Sequence, residues 1–325
     1  MTQATQQAAA GIAEREREQK QHRIAFVLMA AFFAFGPALI YPVFLMKVMC
    51  FALFACAFNL LLGFVGLLSF GHAMFLGMGG YVAAHTAKVW GLTPELAILC
   101  GAAVSGVLGL VSGLIAIRRQ GIYFAMITLA LAQMVYFFCV QAPFTGGEDG
   151  IQAVPRGKLF GLIDLSNQLA MYVMVAVIFF SGFLLIYRII HSPFGQVLKA
   201  IRENETRAIS LGYDINRYKL LAYVISATLS GVAGATNALV FQLAALNSVH
   251  WTMSGEVVLM TLLGGLGTVF GPVVGALVLL AMENYLAQLG AWVTIAQGVI
   301  FVICVLTFRR GIVGELMAFF KHWSR

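Results

Sequence analysis

Charged residues are scarce in this sequence. Of its 325 residues, 10% are Asp, Glu, Lys or Arg and 61% are hydrophobic, whereas about a quarter of the residues of a soluble domain are charged. This composition excludes a soluble globular protein and indicates a chain that lies in lipid. Because an apolar helix of about 20 residues crosses the hydrocarbon core of a bilayer, the chain has room for about ten spans.

Motifs of catalysis are missing as well. The pair Gly157-Lys158 is followed by Leu159 and belongs to no phosphate-binding loop, and neither HExxH nor GxSxG occurs. Five cysteines lie singly in apolar segments, without CxxC spacing or histidine companions, so they predict neither a disulfide framework nor a metal site. We therefore expect no catalytic residue, no metal and no cofactor in this chain, and no ATPase activity of its own.

Apolar segments predict an all-α polytopic membrane protein with about ten transmembrane helices. They form one membrane domain over residues 24–308, preceded by a polar segment 1–23, either a short helix or disordered, and followed by a tail 309–325. Small residues in the fourth and seventh segments predict close helix contacts, and glycine-rich breaks follow the second and eighth. The segments cover residues 24–45, 48–68, 72–89, 94–117, 121–140, 169–190, 219–241, 254–267, 269–288 and 292–308.

The basic residues predict the orientation of these spans. The net charge of +7 comes from short loops with no interleaved aromatic patch, so it does not indicate nucleic-acid binding. With ten spans, 16 of the 20 Lys and Arg residues fall on the side of the two termini, and the positive-inside rule makes that side cytoplasmic. The opposite side then carries the loop 141–168, which we expect to lie outside, over the mouth of a pathway.

A charged interruption, residues 192–219, stands out in this apolar chain. Apolar and charged residues alternate there with roughly helical spacing, Ser192 and Pro193 are a helix-start signal, and Gly212 is a stop signal. The pattern predicts one amphipathic cytoplasmic helix over residues 193–211. Two interpretations stay open at this point: a solvated loop helix, or a docking surface for a cytoplasmic partner.

Polar residues inside the predicted spans are the other candidates for function, because burying them in lipid is costly. Glu283 is one of them, and each also has a structural explanation: a glutamate at the interface, a helix-packing partner, or a donor that satisfies a helix break. The residues that we assign to a translocation path or to the helix breaks are Asn59, Gly71, His72, Thr128, Gln133, Glu256, Gly264, Gly265 and Gly267.

Four separated blocks carry a family resemblance. They are NLLLGFVGLLSFGHAMFLGMGGYVAA (59–84), GIYFAMITLAL with TGGEDG (121–131 and 145–150), SPFGQVLKAIRENETRAISLG with NRYKLLAYVISATLSGVAGA (192–212 and 216–235), and GEVVLMTLLGGLGTVFGPVVG (255–275). In this order they resemble the LivM-type permease subunits of branched-chain amino-acid ABC importers. The resemblance implies the fold of the ribose and vitamin B12 importer permeases, in a bacterial inner membrane with both termini cytoplasmic.

The resemblance also implies partners: a second related permease, a periplasmic substrate-binding protein, and two cytoplasmic ATPases that use ATP and Mg. The segment at 193–211 resembles the coupling helix that docks on such an ATPase, although Glu205, Ala208 and Gly212 match the family's Glu-Ala-Ala…Gly pattern with spacing about one residue off. The implied contact residues are Phe194, Val197, Leu198, Ile201, Arg202, Glu203, Asn204, Glu205, Arg207 and Gly212.

Two alternatives remain beside a branched-chain amino-acid importer. Permeases for urea and short amides have similar sequences, so the solute is open. The glycine breaks are also typical of a self-sufficient secondary transporter with discontinuous helices. The amphipathic cytoplasmic helix and the lack of an evident pair of buried acid and base favour the ABC importer over that second alternative.

Overall fold

Helices make up nearly all of the fold. The computed structural model describes residues 3–286, 292–307 and 311–315. By their contacts the residues fall into two compact units, one ending at Leu45 and one beginning at Met46. The helices are α1 (Gln3–Leu39), α2 (Pro42–Phe64), α3 (His72–Lys88), α4 (Pro94–Ala116), α5 (Ile122–Gln141), α6 (Gln168–His191), α7 (Pro193–Glu203), α8 (Glu205–Ser210), α9 (Ile215–Phe241), α10 (Trp251–Gly264), α11 (Gly271–Leu286) and α12 (Val293–Thr307).

Each of the ten predicted spans overlaps a helix. Helices α2, α4, α5, α6 and α9, and the part His22–Leu39 of α1, are long and apolar enough to cross a bilayer. Helices α3 and α10 have 17 and 14 residues, fewer than the roughly 20 of a full span, and the described parts of α11 and α12 have 16 and 15. A multi-pass membrane protein is therefore confirmed, while ten crossings stay a prediction.

The polar segment at the N-terminus is helical in this structure. Helix α1 runs without interruption from Gln3 to Leu39, so of the two alternatives for residues 1–23 the helical one applies from Gln3 onward. The boundary predicted at residue 23 is not a boundary of secondary structure. The chain bends at Ile40, and Pro42 then opens α2.

Both predicted glycine breaks are present. Helix α2 ends at Phe64 and α3 begins at His72, with Gly66 at φ +83° between them. Between α10 and α11, Gly265 has φ +121° and Gly267 has φ +73°, a region that residues with a Cβ rarely adopt. Glycine therefore ends each helix and turns the chain into the next one.

Close contacts among α3, α4 and α9 confirm the small-residue seams. A Cβ added to Gly101 of α4 would lie 2.5 Å from the carbonyl oxygen of Gly79 in α3, and one on Gly79 would lie 2.6 Å from the Cα of Gly231 in α9. Ser105 of α4 donates a hydrogen bond of 2.9 Å to the carbonyl of Phe75. These helices meet backbone to backbone, the packing that small residues permit in lipid.

The predicted external loop, residues 141–168, folds over one end of the bundle. Strand β1 (Ile151–Gln152) pairs antiparallel with β4 (Leu243–Ala244), which follows α9, and β2 (Lys158–Leu159) forms a hairpin with β3 (Ile163–Asp164). Arg156 donates 2.9 Å to the carbonyl of Val240. Hydrogen bonds thus hold the loop against the C-terminal end of α9.

Candidate functional site

The charged interruption forms two helices rather than the single predicted one. Ser192 caps α7 by accepting a hydrogen bond from the Gly195 amide, with Pro193 in the first turn as expected. Asn204 is then extended (φ −156°, ψ 99°), and its Oδ1 accepts from the Arg207 amide to start α8. The prediction of one helix over 193–211 is therefore wrong, because the short amide side chain of Asn204 caps a new helix.

The apolar side of this segment packs against the protein itself. Leu198 is buried in one cluster with Leu61 of α2 and with Val65, which follows α2, whereas Ile201 is buried in a second cluster. Phe194 is half-buried and stacks on Tyr218 of α9 at 5.6 Å between ring centroids, and Val197 is half-buried beside it. The four apolar side chains among the implied contact residues thus fix α7 to the membrane helices in this structure.

The outward side of α7 and α8 carries both charge and apolar surface. Glu203, Asn204, Arg207 and Gly212 are exposed there, as the sequence predicts. Two apolar side chains that the predicted contact residues leave out accompany them: Ile209 is 60% exposed and Leu211 is 67% exposed. The sequence could have identified both residues, because they are apolar side chains in a charged segment outside the predicted spans.

Glu205 forms bonds within the chain. Both of its carboxylate oxygens lie 2.9 Å from the ammonium nitrogen of Lys219 in α9. Gln120, in the connection from α4 to α5, donates 2.7 Å to the same carboxylate. The side chain of Lys219 is 4% exposed and that of Glu205 is 30% exposed, so this ion pair anchors α8 on α9.

Asn59 and Arg202 join the two glycine breaks on the same side of the bundle. The buried Asn59 side chain of α2 donates 2.8 Å to the carbonyl of Thr268 and accepts 3.2 Å from the amide of Gly267. Arg202 of α7 donates to the carbonyl of Gly63, one of the last residues of α2. Peptide groups left free by the break thus gain side-chain partners.

Replacing Asn59 tests this arrangement. Asn59→Leu keeps the size of the side chain but leaves the Gly267 amide and the Thr268 carbonyl without their partner, which costs about 1 to 3 kcal/mol of stability. We expect a lower thermal midpoint of the purified protein in detergent. Asn237→Leu is the control, because the Asn237 amide oxygen is buried with no partner among the described residues; an equal drop there would contradict the assignment.

His72 and Thr128 are buried beside the break between α2 and α3. His72 is buried, its Nε2 lies 2.9 Å from the hydroxyl of Ser226 in α9, and its ring packs edge-on against Phe58. The Phe70 amide donates 3.2 Å to the hydroxyl of Thr128 in α5, and a Cβ on Gly71 would lie 2.8 Å from the Thr128 carbonyl oxygen. Thr128 thus bonds a backbone group of the break, whereas the His72 ring bonds a side chain of α9.

The remaining polar candidates lie elsewhere in the bundle. Glu283 of α11 forms an ion pair of 3.2 Å with Lys47 of α2, which makes it a helix-packing partner. Glu256 is half-buried on α10. Gln133 of α5 is half-buried, and its amide oxygen has no hydrogen-bond partner in the part of the chain that the structure describes. Gly264, Gly265 and Gly267 belong to the α10–α11 break, and the assignment of these residues to a translocation path stays a prediction.

Comparisons with known proteins place the chain in a family. Residues 40–307 match the model of the branched-chain amino acid transport system permease component. The chain is 25% identical over 287 residues to the high-affinity branched-chain amino acid transport system permease protein LivM of Salmonella typhimurium and 24% identical to LivM of Escherichia coli, each match covering 81% of this chain and 68% of the relative.

A ribose permease is a further relative. The chain is 27% identical over 257 residues to the ribose import permease protein RbsC of Bacillus subtilis, covering 72% of this chain and 76% of that protein. No solved structure matches the chain significantly. Since the family model covers most of the residues, the chain belongs to the family of branched-chain amino acid transport system permease components.

Proposed function

We propose that this chain is the transmembrane subunit of an ATP-driven importer that carries branched-chain or other hydrophobic amino acids across a bacterial inner membrane. It pairs with a second, related permease, receives solute from a periplasmic binding protein, and is driven by two cytoplasmic ATPases that hold ATP and Mg. The observation that carries this proposal is the segment α7–α8, whose apolar side is packed on the membrane helices and whose other side is free.

The contacts of the loops support the predicted orientation. The loop 141–168 pairs with the segment after α9, and both are predicted to be external. At the other end of the bundle, α7 and α8 contact the end of α2 and the start of α9, all predicted to be cytoplasmic. Segments assigned to the same side by charge therefore meet in space, which favours cytoplasmic termini.

An amino acid with an apolar side chain fits this chain better than the alternatives do. The names of the two LivM relatives state branched-chain amino acid transport, and neither name mentions urea or an amide. No ion pair among the described residues has both partners inside the predicted spans: Lys47, which pairs with Glu283 of α11, lies between the first two spans. A secondary transporter would need an ionisable pathway, so we favour alternating access driven by the ATPases.

The anchoring of α7–α8 explains how a permease without catalytic residues uses ATP. When two ATPases bind ATP and close, they displace the surfaces on which they dock. A segment held by buried apolar side chains and by the pair Glu205–Lys219 passes this displacement to the membrane helices, whereas a mobile loop would absorb it. The helices then rock between outward and inward access.

Docking is tested by changing side chains that face outward. In the complex expressed from the chain and its neighbouring genes, we expect Ile209→Glu with Leu211→Glu to reduce copurification of the ATPase by about tenfold or more, because the loss of two apolar contacts costs more than 1.4 kcal/mol. The amount of folded permease should not change, since both side chains are exposed.

Asn216→Glu is the matched control for this test. Asn216 is exposed on the first turn of α9, so this variant adds a carboxylate near α8 without changing the apolar surface, and it should retain the ATPase. The proposed function would be refuted if the wild-type chain brings down no ATPase and an ion gradient alone drives leucine uptake.

A further inference from the structure

Three segments that are distant in the sequence meet at the side chain of Arg202. Its guanidinium donates to the carbonyl of Gly63 at the end of α2. A Cβ added to Gly267, in the α10–α11 turn, would lie 3.0 Å from Nη1, and one on Gly66 would lie 3.2 Å from Cγ. The side chain of Arg202 therefore reaches from α7 to both glycine breaks.

Hydrogen bonds connect the two breaks at this point. Asn59, one turn before Gly63 in α2, bonds both the Gly267 amide and the Thr268 carbonyl. The end of α2 and the α10–α11 turn are thus already held together inside the membrane domain. A force applied through Arg202 would reach both of them.

The other contacts of α7 with α2 are less directional. Leu198 shares a buried cluster with Leu61 and Val65, and the Lys199 ammonium lies 5.7 Å from the centre of the Phe64 ring. Apolar side chains can slide past one another at small cost, whereas a guanidinium hydrogen bond to a C-terminal helix carbonyl fixes both distance and direction. Arg202 supplies this kind of bond between the two helices.

From these contacts we infer that Arg202 is the positioning residue that makes the end of α2 and the α10–α11 turn follow the movement of α7. The inference rests on the proposed function, because it requires an ATPase that moves α7. Arg202 is an exposed residue of α7, and its guanidinium contacts the carbonyl of Gly63 within the chain. The inferred role lies within the chain, and the predicted role of Arg202 as an ATPase contact stays a prediction.

Loss of this bond should uncouple ATP hydrolysis from transport. In proteoliposomes that contain the whole complex and leucine as solute, we expect Arg202→Ala to keep the copurified ATPase and its hydrolysis while leucine transported per ATP falls about tenfold, within the usual range of coupling between two sites. Arg202→Lys, which keeps a donor on a long side chain, should restore part of that ratio.

A distance measurement separates positioning from a merely structural role. Spin labels on Gln196 of α7 and on the exposed Leu266 of the α10–α11 turn should keep one separation in the wild-type complex when ATP is added, because the two elements move together. In Arg202→Ala the separation should change with ATP. Arg217→Ala is the control for both measurements, since the Arg217 side chain pairs with Asp214 at the surface.

The outcomes distinguish this inference from the proposed function. The role of Arg202 would be overturned if Arg202→Ala transports a normal amount of leucine per ATP, or if its label separations do not differ from wild type. Either outcome would leave the importer proposal standing. Loss of the ATPase from both Arg202 variants would also overturn it, because Arg202 would then be a docking contact. Absence of any ATPase from the wild-type complex would instead refute the proposed function itself.

Discussion

Glu205→Lys is expected to destabilise the folded permease strongly. The variant would place a second ammonium group beside Lys219, whose side chain is 4% exposed, and would leave that buried cation without a counter-charge. Removing one partner of a buried ion pair costs about 3 to 5 kcal/mol, and we expect about 3 kcal/mol because the Glu205 side chain is 30% exposed. The thermal midpoint of the purified chain in detergent measures the loss.

Two further variants identify the cause of this loss. Glu203→Lys makes the same substitution two residues earlier, at an exposed position, and should leave the thermal midpoint unchanged. Glu205→Lys combined with Lys219→Glu restores opposite charges and should recover part of the stability. If Glu203→Lys and Glu205→Lys have equal midpoints, the pair does not stabilise this fold.

This pair also decides which variants can report on docking. A permease carrying Glu205→Lys would lose uptake because its own fold is weakened, whether or not an ATPase binds beside it. Glu205 is one of the residues that resemble the family's coupling pattern with spacing about one residue off, yet its carboxylate is engaged by Lys219 and Gln120. Docking must therefore be tested at side chains that are free, such as Ile209 and Leu211.

Local sequence signals predict the helices of this fold well. Apolar segments separated by Gly and Pro locate the helices, because lipid leaves a spanning backbone few alternatives to helix. The break at Asn204 also has a local signal, an Asn followed by Glu205, which is typical of a helix N-cap and first turn. The helical periodicity on both sides of Asn204 hides this signal, so the sequence predicts one helix.

What a helix packs against could not be predicted in the same way. The apolar stripe of α7 shows that one side is buried, but periodicity is the same whether the stripe meets a partner or its own chain. The bond from Asn59 to Thr268 joins residues 209 positions apart, and neither residue shows by itself that the other is near. Lys219 has the sequence context of a loop cation, although Glu205 holds it in a buried position.

Gly275→Val should strongly damage the packing of α10 on α11. A Cβ at Gly275 in α11 would overlap the carbonyl oxygen of Met260 in α10, and one at Gly264 would overlap the carbonyl of Gly271. These are contacts with backbone, so no change of rotamer relieves them. Because overpacking costs about 1 to 3 kcal/mol even where side chains can adjust, we expect more than about 3 kcal/mol here and little folded protein in the membrane.

Gly275→Ala and Gly255→Ala form the matched pair that tests whether overlap of the Cβ with backbone causes this loss. Both residues are helical glycines, but a Cβ on Gly255 of α10 would meet nothing within 4 Å. Alanine is favoured over glycine in a helix by about 1 kcal/mol, so Gly255→Ala should raise the thermal midpoint or leave it unchanged, whereas Gly275→Ala should lower it. Equal midpoints would mean that α10 and α11 do not touch backbone to backbone. The α10–α11 turn that Asn59 and Arg202 hold depends on this contact, because separating the two helices would move Gly267 away from both side chains.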